Sequence, residues 1–93
     1  MRSDRGDEVL RYIAANVRQA RLRRHLTQET LAERAELDLS YLQRIERAQM
    51  NASVRKLTSL ATALGVETWE LLRPTQTLPP PGRGRPVRNA RGA

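Results

Sequence analysis

Only Glu36-Leu37-Asp38 separates two stretches that carry the marks of α-helix, and this short link limits the fold more than any other feature. Before it, Thr27 offers a hydroxyl as N-cap, Glu29 puts an acid in the first turn, and Leu31, Ala32 and Ala35 form an apolar stripe. After it, Asp38 offers a second cap to a helix running through Arg47, with Leu42 and Ile45 turned inward. A link that short forces two helices to cross steeply, and the small Ala32 lets their backbones approach.

The flanking chain reads as helix too. Val9, Leu10, Ile13, Val17 and Ala20 recur at three- and four-residue steps, so a first helix starts near residue 9 and stops near Arg24-His25. Ser53 caps a fourth helix whose stripe is Leu57, Leu60, Ala61 and Leu64, and Gly65 ends it as a left-handed residue would. Thr68 to Leu72 is long enough for one final turn. No stretch alternates with period two, and aromatics are limited to Trp69, Tyr12 and Tyr41, so the core is aliphatic. The expected fold class is all-α, five helices over residues 9–72, with residues 1–8 as an N-terminal arm.

Charge is unevenly placed. The chain of 93 residues has a net charge of +7, and Lys56 is its one lysine among seventeen basic residues. Residues 73–93 hold five Arg, no acid and all five Pro, which predicts a disordered basic tail suited to a polyanion. A solubilising tail with no partner fits the same composition. Zero Cys and one His argue against disulfides, zinc fingers and other metal sites, so no cofactor is expected. No apolar run reaches the roughly 20 residues of a membrane span, and the N-terminus lacks the apolar stretch of a signal peptide; the expectation is a cytoplasmic protein.

Two steeply crossed helices on so short a link make a helix-turn-helix, the unit whose second member lies in the DNA major groove. Thr27-Gln28-Glu29-x-Leu31-Ala32-Glu33-x-Ala35, then Leu37-x-x-Ser40-Tyr41-Leu42-x-x-Ile45-Glu46-Arg47, resembles the phage-repressor/Cro-type helix-turn-helix family. Leu57-x-x-Leu60-Ala61-x-x-Leu64-Gly65-Val66 is similar to that family's fourth helix. The resemblance implies a lambda-repressor-like five-helix bundle, and the short single-domain form is similar to restriction–modification controller proteins. Antitoxins and small phage-type repressors share that form. The chain departs from the family where Gly is usual after helix one, in the turn, and after the recognition helix: here stand His25, Glu36 and Ala48.

At about 100° per residue, placing Leu42 and Ile45 on the core turns Ser40, Gln43, Arg44 and Arg47 the other way. Arg44 suits guanine O6 and N7, Gln43 suits adenine N6 and N7, and Ser40 suits either strand or a phosphate. Leu39, at the edge of that face, could pack on a thymine methyl; the resemblance implies base contacts at Leu39, Ser40, Gln43 and Arg44. A plain solvated face is the competing reading. Phosphate contacts are expected from Gln28 at a helix N-terminus and from Arg47, Asn51, Arg55 and Lys56. By resemblance, Gln28 also braces the recognition helix, and Arg21 pairs with Glu46 in a partly buried, structural ion pair.

In the tail, Arg83-Gly84-Arg85-Pro86 resembles the core of an AT-hook, whose two arginines lie along a narrow minor groove. Val66, Trp69 and Leu72 are candidates for a homodimer contact, with core packing as their other reading. The function expected is a non-enzymatic, dimeric regulator of transcription that binds two-fold sites in double-stranded DNA. Two alternatives stay open: an antitoxin-like interaction module whose tail takes a protein partner, and an RNA binder.

Overall fold

The computed structural model describes residues 4–76. Four α-helices and one 3-10 helix follow in order: α1 Arg5–Arg23, α2 Gln28–Ala35, α3 Leu39–Glu46, α4 Val54–Leu64, and the 3-10 helix Thr68–Leu71. Among the described residues there is no strand. The basic tail with Arg83 and Arg85 lies outside the described residues, and so does the expectation that it is disordered.

Two expectations about element ends are corrected. Residues 5–8 are helix, not arm, because Asp4 caps α1 by accepting from Gly6 N at 2.8 Å, and Asp7 and Glu8 complement the helix dipole. The five-helix bundle is four α-helices plus a 3-10 helix. Its bonds run from Glu70 N to Glu67 O and from Leu72 N to Trp69 O, both 3.0 Å, and Pro74, which has no N–H to donate, keeps the helix from extending further.

Thr27 and Ser53 cap α2 and α4 through Thr30 N and Lys56 N. Asp38 stands at the N-cap of α3 with extended backbone, but its side chain makes no capping bond. All four α-helices close with the same device. The amide two residues past the C-cap or one past the left-handed residue reaches back five positions: Leu26 to Arg21, Leu37 to Ala32, Gln49 to Arg44, and Val66 to Ala61. The left-handed residues are His25 (φ 57°), Glu36 (58°), Ala48 (60°) and Gly65 (73°). Leu26, Leu37 and Val66 then pack on the core, so apolar burial helps hold three turns that lack or follow the easy glycine.

The core is aliphatic. Val17, Leu31, Leu42, Ile45, Leu60, Leu64 and Leu71 are fully buried, and each contributes on the order of 1.5–3 kcal/mol by leaving water. Ala32 and Ala35 are also buried, which lets α2 lie close to α3 and α4. The 3-10 helix is fastened to α1 by Asn16, whose Nδ2 donates to Leu71 O and Arg73 O, each at 3.0 Å. No helix among the described residues is long and apolar enough to cross a membrane.

Candidate nucleic-acid interface

The position of α3 is set from below by a buried ion pair. Arg21 Nε donates to Glu46 Oε2 at 2.7 Å, and Arg21 Nη2 donates to Glu46 Oε1 at 3.0 Å. A third Arg21 nitrogen, Nη1, donates to Leu26 O at 3.0 Å, so one guanidinium ties α1, the turn after it and α3 together. Glu46 is 4% exposed and is the one buried charged residue among those described. Leu42 and Ile45 on the same side of α3 are sealed in the core.

The opposite side of α3 is open. Ser40 and Arg44 are exposed, as is Arg47 at the C-cap, and Gln43 is half-buried. Leu39 is half-buried as well and packs partly on the core, so less of it is free for a thymine methyl than the rotation alone suggests. Gln28, the first residue of α2, is half-buried: its Nε2 donates to Glu46 Oε1 at 3.1 Å, and its Oε1 accepts from Gln43 Nε2 at 3.5 Å. A side chain read as a phosphate contact is thus engaged inside the domain, between the ion pair and the face of α3.

Asn51, Arg55 and Lys56 are exposed where the chain leaves α3 and enters α4. Lys56 Nζ lies 5.5 Å from the centre of the Tyr41 ring, a cation–π contact between α4 and α3. Tyr41 did not stand out in the sequence, since nothing in local spacing pairs it with a residue 15 positions on. Arg11 and Arg18 are a second omission. With Arg47 and the buried alanines 14 and 15 they line a shallow depression between α1 and the end of α3, which extends the basic surface onto α1.

Three large apolar side chains are also exposed: Trp69 and Leu72, at 62% and 39%, and Val54, at 73%. Val66 is instead packed partly on the core. Tyr12 donates to Glu8 Oε2 at 2.9 Å, and this bond holds the pKa of its phenol above the ordinary value. Among the described residues, no group of His, Cys, Asp or Glu side chains is placed to hold a metal ion.

A helix anchored on its apolar side and open on a basic, amide-bearing side defines a class of protein, and comparison with known proteins gives the family. A helix-turn-helix family model matches residues 17–71. The chain belongs to this family of non-enzymatic DNA-binding regulators. It is similar to the restriction-modification controller protein C.AhdI from Aeromonas hydrophila, whose crystal structure aligns with a TM-score of 0.65 at 42% identity, covering 67% of this chain and 94% of that one. It is 36% identical over 64 residues to a Neisseria meningitidis hypothetical transcription factor, covering 69% of this chain and 60% of that protein. It is 42% identical over 55 residues to the immunity repressor protein of Bacillus phage phi105, covering 59% of this chain and 38% of the repressor. The chain thus spans less than two thirds of the length of these last two relatives.

Proposed function

We propose that this chain is a sequence-specific DNA-binding regulator of transcription, acting in the cytoplasm as a homodimer on a two-fold operator. The observation that carries the reading is the two-sidedness of α3: Leu42, Ile45 and Glu46 are buried, while Ser40, Arg44 and Arg47 are exposed. A helix held on one side and basic on the other can enter a major groove without rearranging its domain. In this reading Ser40, Gln43 and Arg44 touch base edges, and Leu39 touches the margin of the site. Arg47, Asn51, Arg55 and Lys56 neutralise phosphates, and Gln28 adds to them from the α2 N-terminus. The controller and repressor names of its relatives agree with this role.

A single helix-turn-helix covers too little DNA for high specificity, which makes a dimer the working unit. The exposed Trp69 and Leu72, together with the half-buried Val66, are assigned to the self-contact. Selection of binding sites from a random duplex pool tests the whole reading. A two-fold symmetric sequence is expected to emerge, with half-sites about one helical turn apart. Failure to enrich any sequence, with equal binding of RNA at matched salt, would contradict it.

A further inference from the structure

We infer that Glu46, which is buried and does not face the groove, sets which base Gln43 accepts by fixing the direction of the two amides between them. This rests on the reading of Gln43 as a base contact.

The chain of bonds begins at the ion pair. Both Glu46 oxygens accept from Arg21, and a carboxylate bound in that way offers its remaining neighbours lone pairs only. Gln28 must therefore turn its NH2 end toward Glu46, and its Nε2 donates to Oε1 at 3.1 Å. The carbonyl end of the same amide is then left for Gln43, and a carbonyl can only accept. Gln43 Nε2 donates to it at 3.5 Å, the long limit for such a bond.

Polarity has now been passed through two side chains. One hydrogen of the Gln43 NH2 is directed at Gln28, so the amide keeps one acceptor and one donor for a ligand. Adenine needs that combination, since its N6 donates and its N7 accepts. Guanine presents two acceptors, O6 and N7, and would need both hydrogens of the NH2. Turning the Gln43 amide around would place two carbonyl oxygens against each other. Gln28 cannot relieve that clash, because turning it would set its own carbonyl against the Glu46 carboxylate. Gln28 and Glu46 are accordingly positioning residues for specificity, and Gln43 is the residue that touches the base.

Site selection with the wild type, Gln43→Ala and Gln28→Leu separates this from the reading beneath it. The base pair at which Gln43→Ala loses preference identifies the position that Gln43 reads. There the wild type is expected to favour adenine over guanine by about tenfold or more. Gln28→Leu frees the amide to turn both hydrogens toward guanine, and the adenine-over-guanine ratio at that position should fall by about threefold or more while other positions keep theirs. If Gln28→Leu weakens binding evenly and leaves the ratio intact, Gln28 is only a support or a phosphate contact, and the inference is overturned. A wild-type preference for guanine at that position overturns it as well. If Gln43→Ala alters preference nowhere, Gln43 reads no base and both readings fall together. Circular dichroism checks that each variant folds, and Gln28→Met replaces Gln28→Leu with the same readout if it does not.

Discussion

Arg21 and Glu46 meet through two hydrogen bonds, at 2.7 and 3.0 Å, and so join the last turns of α1 to the last turn of α3. The pair is almost free of water, with side-chain exposures of 11% and 3%. Removing one partner leaves the other as an uncompensated buried charge. Glu46→Ala or Arg21→Ala should each cost about 3–5 kcal/mol in urea unfolding, and replacing both with apolar residues of similar size should cost much less. A single-variant loss below about 1 kcal/mol would mean that the pair behaves like a surface contact.

The helix ends give a prediction of opposite signs. Ala48 and Gly65 both occupy left-handed positions past a helix end, with φ of 60° and 73°. Ala48→Gly removes the clash of Cβ with its own backbone and should raise stability by about 1 kcal/mol. Gly65→Ala adds that clash and brings a Cβ to 3.2 Å from Arg24 Nη2, so it should lower stability by about the same amount. Thermal melts of the two variants check this; a shift in the same direction for both would contradict it.

Leu71 and Trp69 are neighbours with different work to do. Leu71 is 1% exposed and Trp69 is 62% exposed. Leu71→Ala should destabilise the fold by about 2–5 kcal/mol through the cavity it leaves. Trp69→Ser should leave the circular dichroism unchanged and shift sedimentation from dimer to monomer. A wild type that sediments as a monomer at micromolar concentration, or a dimer untouched by Trp69→Ser, would remove this face from the self-contact.

Deleting residues 79–93 removes Arg83 and Arg85. If they lie in a minor groove, affinity should fall for sites flanked by A·T pairs and hold for sites flanked by G·C pairs. An equal fall on both, with a shallower salt dependence, would reduce the tail to general attraction for phosphate.

Much of this architecture is legible in the sequence because helix ends and apolar stripes are local signals. Thr27, Ser53 and Gly65 mark ends by their own chemistry, and Leu57, Leu60, Ala61 and Leu64 mark a face by spacing. The start of α1 is hidden, since Arg5, Gly6, Asp7 and Glu8 carry no apolar side chain and add nothing to the stripe that begins at Val9. Five residues are too few for apolar spacing to distinguish a 3-10 from an α-helical register. Asp38 has the right type for a cap and the right backbone, yet its carboxylate makes no bond to the helix. The site is legible in part. Rotation about α3 separates Leu42 and Ile45 from Ser40 and Arg44. It cannot bring Gln28 between Glu46 and Gln43, or Lys56 over Tyr41, because those pairings are made by the crossing of helices.

In the proposed function, the open side of α3 reads bases while its surroundings hold the DNA backbone. Parallel site selection by the wild type, Arg44→Ala and Arg55→Ala measures that division of labour. Arg44→Ala should lose preference at one base pair in each half-site, a guanine worth about 1–3 kcal/mol of discrimination. Arg55→Ala should bind the wild-type sequence more weakly with every preference retained and a smaller salt slope. Identical selected sites for Arg44→Ala and the wild type would contradict the claim, because Arg44 would then carry charge and no information.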